Sequence, residues 1–431
     1  LDKHAGDVAS GRLYAGTIKK GVDLHIIGTE KTEKVQQVAI FLGPDRIVLD
    51  EIKAGNIVAV IGMKEVYAGQ TISNKEIVPF ESFMTSVEPV MTVSVEPKDS
   101  KDLPRLIEVL HSISKEDPNV RVELNQETGE HLISGMGEFH LEIIQIKISD
   151  DNKIPITVGQ PIVVYYETSQ KDGPIVNGRT PNKHNDFKLQ VTPMSSEMFS
   201  KIKAMKFDGK IRQNKDLDLI KKLKDCGFST DESKDIWAVH NNNVLINRTK
   251  GITNLFEVKE LIIQAFYDAT NEGPVAKEKV TGLIVNLVDA KLHEDAIHRG
   301  PAQVLPAVTR AIYAGILAGD YTLLEPKQLL TVTVPQDFMG NVSRILNGKR
   351  AQILDIKTEG DTCSIQSIIP VKSMIGFSAL IRGETQGRAI WTAEYYGYDP
   401  LPKNLLKDTI AEIRKRKGME PEPKPAEYFM D

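Results

Sequence analysis

The strongest constraint on the fold is an order of elements that occurs twice. Residues 90–95 read as a strand, and 101–115 carry apolar side chains at Leu103, Leu106, Ile107, Leu110 and Ile113. That spacing is the 3.6-residue period of a helix with one buried face. Residues 120–124 and 131–136 read as a strand pair around the turn Glu127-Thr128-Gly129-Glu130, 138–148 as a second helix, and 154–158 as a closing strand. The order βαββαβ is the split βαβ, or ferredoxin-like, pattern. It returns at 329–334, 341–347, 351–356, 362–371, 375–381 and 389–396. Two copies of one pattern argue for a modular, multi-domain α+β chain rather than a single core.

Length agrees with this. At ~150 residues per domain, 431 residues hold about three domains, or more if they are small. Residues 1–79 read as all-β: short runs at 12–18, 22–27, 34–40 and 57–61, punctuated by glycines from Gly21 to Gly69, point to a small β-barrel. Residues 161–325 are mixed α/β. They contain strand signals at 162–167 and 187–192, a Lys-rich insertion over 197–243, a helix at 255–270 and a strand at 282–292. A helix over 403–417 ends in Arg414-Lys415-Arg416-Lys417, and Pro421, Pro423 and Pro425 enforce an extended end. The expected domains are 1–79, 80–160, 161–325 and 326–431.

The formal net charge is −5, so nucleic acid is not bound through bulk charge and any RNA contact must be local. Two cysteines, Cys226 and Cys363, give no disulfide framework and favour a reducing, cytoplasmic setting. No run approaches ~18 uninterrupted apolar residues, so no membrane partner is expected. The start, Leu1-Asp2-Lys3-His4, carries neither an initiator Met nor a signal-peptide pattern. The first strand-like run already looks mid-domain, and the expectation is a piece of a longer chain.

The chemistry concentrates in Asp295-Ala296-Ile297-His298-Arg299-Gly300-Pro301-Ala302-Gln303, a loop between the strand at 282–292 and a helix at 302–318. A strand-to-helix loop with His, Arg, Gly and an early helical Pro presents side chains rather than burying them. His293 and His298 imitate H-E-x-x-H with one residue too many. At i+5 they stand about 140° apart on a helix, so a zinc site is not expected. Gly135-Met136-Gly137 lacks the third glycine of a dinucleotide fingerprint, since His140 stands there. No G-x-x-x-x-G-K-[ST] and no Asn-Lys-x-Asp occurs, so no nucleotide hydrolysis and no metal are expected of this chain. A second polar loop, Pro181-Asn182-Lys183-His184-Asn185, lies in the same domain. Lys183 and Arg299 offer phosphate donors, while Asn and His suit RNA edges and 2′-hydroxyls. For Arg414–Lys417, a helix C-terminus opposing the macrodipole is preferred over an RNA contact.

The loop around His298 closely resembles the diphthamide loop of the elongation factor 2 family of ribosomal translocases, in its archaeal form. Gly11-Arg12-Leu13-Tyr14-Ala15-Gly16-Thr17-Ile18-Lys19-Lys20-Gly21 resembles the barrel signature of translational GTPases. Ser134-Gly135-Met136-Gly137-Glu138-Phe139-His140-Leu141 is similar to the family's third domain, 181–185 to the companion tip loop of its fourth, and Gly376-Phe377, Leu380, Arg382 and Thr385-Gln386-Gly387 to its fifth. The resemblance implies four of five domains: a barrel, a ferredoxin-like domain, a tip domain with a left-handed βαβ unit, and a second ferredoxin-like domain. The N-terminal GTPase domain, with its GTP and Mg²⁺, is the one missing. The implied function is GTP-dependent translocation of tRNA and mRNA, with the ribosome, tRNA, mRNA and the diphthamide-synthesis enzymes as partners of a monomer. His298 is implied as the modified residue. Pro181, Asn182, Lys183, His184, Asn185, Asp295, Arg299, Gly300 and Gln303 are implied as RNA-contacting, and no residue as catalytic. A stand-alone RNA-binding regulator and an enzyme with its site in 161–325 remain the alternatives.

Overall fold

The computed structural model describes residues 8–29, 31–80, 89–124, 131–212, 215–252 and 254–430. The expected turn Glu127-Thr128-Gly129-Glu130 and the start Leu1-Asp2-Lys3-His4 lie outside them. The chain is multi-domain α+β and divides into two compact units, 1–163 with 328–395 and 164–327 with 396–431. Among the described residues no helix is long and apolar enough to cross a membrane.

The first unit begins with short antiparallel strands. Val8–Arg12, Ile57–Ile61, Gln37–Leu42 and Asp45–Leu49 form one sheet in that order. A core of Ile18, Ile26, Val35, Val38, Ile52, Val58, Val60 and Met63 holds this region together. The run 12–18 is not one strand: Val8–Arg12 ends, Gly16 turns the chain at φ +77°, and Thr17–Lys19 pairs instead with Glu51–Lys53. Glycine alone adopts that φ without a steric penalty.

The next domain centres on Met91–Pro97, flanked by His131–Gly135 and Ile156–Val158. Helix Leu103–Glu116 buries Leu106, Leu110 and Ile113, as their spacing requires. His140, standing where a dinucleotide site needs glycine, accepts the Met136 N–H through Nδ1 (3.1 Å), and its Nε2 lies 3.0 Å from Asp117. The Gly-Met-Gly turn is thus capped by a side chain. In 328–395, the antiparallel pair Gln352–Glu359 and Thr362–Pro370 packs with helices Met339–Gly348 and Phe377–Glu384 around Leu330, Val332, Leu346, Ile365 and Phe377.

The second unit carries the labelled elements β1 (Tyr166–Ser169), β2 (Ile175–Arg179), β3 (Asp186–Pro193), α1 (Ser196–Ala204), β4 (Gly209–Lys210), α2 (Leu217–Asp225), α3 (Thr230–Asp235), β5 (Ile236–His240), β6 (Asn243–Asn247), α4 (Leu255–Asn271), β7 (Lys279–Val280), β8 (Leu283–Lys291), α5 (Pro301–Ala318) and α6 (Lys403–Arg416). Its main sheet runs β2-β3-β8-β6-β5-β4, with β6 and β8 parallel and joined through α4. Alternate side chains point to opposite faces of a strand. Trp237, Leu245, Leu189, Val285 and Leu287 pack on one face with α4 and α5. Ile236, Val239, Val244, Ile246 and Ile284 pack on the other with Ile202 of α1 and Leu223 of α2. The Lys-rich insertion is therefore the second layer of a sheet covered on both sides. Helix α5 approaches β2 at backbone contact, because a Cβ on Gly178 would stand 2.4 Å from the Ala307 carbonyl oxygen.

Helix α6 corrects an expectation. The sequence groups it with 326–431, but it packs in the second unit. Arg414 Nη1 donates to the Val275 carbonyl (2.8 Å), and Lys417 Nζ donates to those of Ala276 (3.0 Å) and Lys277 (2.7 Å). Beyond it, Phe429 meets Tyr313 edge-on at 5.5 Å, and Arg310 Nη2 donates to the Tyr428 carbonyl (3.0 Å). An amphipathic pattern announces that a face is buried, and says nothing of which neighbour buries it.

Candidate nucleic-acid interface

Strands β3 and β8 are paired so that Asp186 stands opposite Lys291. The residue before Asp186 and the residue after Lys291 therefore leave one end of the sheet together. This register brings Pro181-Asn182-Lys183-His184-Asn185 beside the loop 292–300.

The β2–β3 loop is built by short-range bonds. Lys183 N–H donates to the Thr180 carbonyl (2.7 Å), and His184 N–H donates to Asn182 Oδ1 (3.1 Å). Lys183 takes φ +60°, a left-handed conformation that is uncommon outside glycine, Asn and Asp. In the second loop, Asp295 Oδ1 accepts from Ile297 N–H (3.0 Å) and caps the short 3₁₀ turn Ala296–Arg299. Gly300 then starts α5, and Pro301 occupies its first turn, where a missing N–H costs nothing.

The two loops are joined by side-chain amides. Asn182 Nδ2 and Asn185 Nδ2 both donate to the His298 carbonyl, at 3.1 and 2.9 Å. Asn185 Oδ1 accepts the His293 N–H (2.9 Å), and Gln303 Oε1 accepts the Asn182 N–H (2.9 Å). A carbonyl holding two donors has both lone pairs in use, so the backbone of His298 is fixed. Its ring is not. No hydrogen bond reaches it among the described residues, and it stands within a trio of imidazoles. The ring centroids lie 4.6 Å apart for His184–His298, 4.5 Å for His293–His298 and 5.0 Å for His184–His293.

Exposure divides the expected contact residues. Pro181, Lys183, His184 and Asp295 are exposed, and His298, Gly300, Gln303 and Asn182 are half-buried. Asn185, expected to meet RNA, is fully buried and spends its amide on the loop–loop junction. Arg299, expected as a phosphate donor, is only 5% exposed; its Nη2 pairs with Glu257 at 2.9 Å and donates to the Glu294 carbonyl (3.3 Å). The guanidinium turns inward because a carboxylate on the first turn of α4 meets it there. It anchors the loop and does not face solvent.

Two participants were missed. His293 belongs to the trio, and its only sequence signal was the failed zinc spacing. Its Nδ1 accepts the Asp295 N–H (3.1 Å), which places the proton of the neutral ring on Nε2. Ile297, 79% exposed beside His298, is the most exposed apolar side chain of the tip. Among the described residues no group of three His, Cys, Asp or Glu is arranged to hold a metal ion.

Family models match for Elongation factor Tu domain 2 over residues 6–73, Elongation Factor G, domain III over 87–160, Elongation factor G, domain IV over 210–320, and Elongation factor G C-terminus over 322–409. The chain is 48% identical to Elongation factor 2 of Methanopyrus kandleri, across all of this chain and 34% of the relative. It is 47% identical to that of Methanocaldococcus jannaschii, across 97% of this chain and 58% of the relative. For Archaeoglobus fulgidus the identity is 46%, across 99% of this chain and 59% of the relative. The chain thus spans a third to three fifths of the length of these relatives. The matches run through every part of it, and on that ground the chain belongs to the elongation factor 2 family.

Proposed function

We propose that this chain is the ribosome-contacting part of a translation elongation factor that moves tRNA and mRNA in a GTP-dependent step. The observation that carries the reading is the tip: two polar loops locked together by Asn182, Asn185 and Gln303, with three imidazoles on top. A probe that must accept every codon has to touch phosphates and sugars without reading base edges. Fixed backbone with cationic and imidazole side chains suits that need. Lys183 and His184 meet the RNA backbone, Ile297 lies against it, and His298 carries the modification implied by the family, an added cation and amide for a backbone oxygen. Asn182, Asn185, Gln303 and Arg299 hold these groups in place.

GTP and Mg²⁺ belong to a domain outside this sequence. These residues contain no phosphate-cradling loop. We read residues 1–79 as a barrel, 80–160 and the part from 326 to about 400 as ferredoxin-like, and 161–325, together with α6 and the tail, as the tip domain with its left-handed βαβ unit. The protein acts as a cytoplasmic monomer whose further partners are the enzymes that modify His298.

The test uses protein purified from its native source. Trypsin cuts after Lys291 and Arg299 and releases Leu292–Arg299, which contains His298. A mass above that of the unmodified peptide supports the reading, and an unmodified peptide removes its strongest member. The alternative of a stand-alone RNA-binding regulator is separated by the reading frame upstream of Leu1: a GTPase domain encoded there supports the translocase.

A further inference from the structure

The Lys-rich layer of the second unit serves more than packing. Residues 197–225 hold nine Lys and Arg against five Asp and Glu, a local excess of four positive charges in a chain of net charge −5. Their apolar members Ile202, Ile211 and Leu223 are buried against the sheet. Lys206, Lys221, Lys222 and Lys224 are exposed, and no ion pair engages them among the described residues. That is informative, because Asp218 stands four residues before Lys222 and Asp225 four after Lys221, the spacing at which helical ion pairs form. Other cations of the layer do pair: Lys201 with Glu197 at 2.7 Å, Lys210 with Glu260, and Arg212 with Asp216 at 3.3 Å. The end of α2 also abuts α1, since a Cβ on Gly227 would stand 3.3 Å from Met198 Cε.

We infer that the outer face of α1 and α2, with Lys206, Lys221, Lys222 and Lys224, is a second RNA-binding surface that takes a phosphodiester backbone without reading its sequence. Charge complementarity selects the partner: RNA carries a regular row of phosphates, and neutralising each one releases counterions. The aromatic residues of this layer, Phe199, Phe207 and Phe228, are not exposed, so the surface has no platform for stacking bases and fits a duplex flank rather than single strands. Distance supports it. Strand β8 spans eight residue steps from Lys291 at the tip to Leu283, about 27 Å at ~3.4 Å per step. An RNA cleft that admits the tip by that depth meets the flank. The inference rests on the proposed reading of the tip as an RNA probe, and extends it to a lateral grip.

The test measures binding of the full 431-residue chain to a fluorescein-labelled RNA duplex of arbitrary sequence, as anisotropy across a salt series. In the background H298A/K183A, which weakens the tip, K221Q/K222Q/K224Q is expected to reduce the slope of log K against log [salt] by about 2 to 3, at ~0.7–0.9 per phosphate contact. K201Q, removing a lysine already paired with Glu197, is expected to leave the slope unchanged. An unaltered slope in the triple variant overturns the surface, whatever the tip does. Equal loss of binding to poly-glutamate overturns RNA as the partner in favour of an acidic protein. If H298A/K183A binds as well as the parent while the triple variant loses slope, the flank stands and the tip reading fails.

Discussion

The tip and the loop 272–278 of the second unit use side chains to hold backbone, with opposite results. At the loop, Glu167 is fully buried and its carboxylate accepts N–H groups from Val275 (2.8 Å), Ala276 (2.7 Å) and Glu278 (3.0 Å). The carbonyl of Val275 goes to Arg414 and those of Ala276 and Lys277 to Lys417, which also pairs with Glu278 at 2.9 Å. Even the space is taken, since a Cβ on Gly273 would stand 2.1 Å from Glu167 Oε2. This polar cluster is closed. At the tip the backbone is held too, yet Lys183 and His184 are exposed and no hydrogen bond reaches the His298 ring among the described residues. The difference separates structural polarity from functional polarity. A charged residue marks a site when its scaffold is satisfied without it.

The largest expected effect tests the closed side. Glu167→Ala leaves three buried N–H groups without an acceptor, at about 1–3 kcal/mol each. A loss of about 3–9 kcal/mol is expected from urea unfolding of the second unit. Trp237 fluorescence reports it, in a W391F background that silences the other tryptophan. A loss below about 1 kcal/mol means that water reaches the loop and the cluster is open after all.

The same carboxylate makes the closed side sensitive to pH. Burial pushes Glu167 from 4.5 up to about 7, outweighing the three N–H donors that favour its charge. The folded state therefore holds the proton more tightly than the unfolded chain. The contribution is complete below about pH 4.5, falls as pH rises through about 7, and is level above that. At ~1.4 kcal/mol per unit the window amounts to about 3 kcal/mol. Burial raises Glu278 as well, with the same sign, so the difference between the parent and Glu167→Gln isolates Glu167. A difference that stays flat between pH 5 and 8 removes the burial argument.

How legible each side was follows from how local its causes are. Helix Leu103–Glu116 was readable because its period lies within the helix. The tip loops were readable as loops, and their pairing follows from the register of β3 and β8. Arg299 was not readable: its partner Glu257 is 42 positions earlier, and no local pattern indicates that a loop arginine turns inward. Arg414 and Lys417 read locally as a helix end, and in the fold they close the Glu167 loop. The insertion reads from sequence only as a polar segment, because the apolar set Ile202, Leu223 and Phe228 makes sense only against a second sheet face. Tertiary partners decided each of these.

On the open side, Asn185→Ala removes the acceptor of the His293 N–H and one donor to the His298 carbonyl. One orphaned buried group and one weakened carbonyl amount to about 2 kcal/mol. The sharper readout is hydrogen exchange: the His293 amide is expected to lose protection while amides of the loop 275–278 keep theirs. Equal loss at both places would show one cooperative polar network in place of two.

The smallest effect concerns Lys183, which combines an outward cation with φ +60°. A side chain in that region carries a strain of about 1 kcal/mol or more that glycine does not. Lys183→Gly is therefore expected to raise stability by up to about 1 kcal/mol, reduced by the entropy glycine adds to the unfolded chain. Lys183→Ala keeps the strain and is expected to be neutral. Both remove the cation, and both are expected to reduce the salt slope of RNA binding by about 1, as loss of one phosphate contact does. If Lys183→Gly gains nothing over Lys183→Ala, the loop relaxes freely and the strain is not held. If neither changes the slope, Lys183 faces solvent alone, and the outward chemistry of the tip reduces to its histidines.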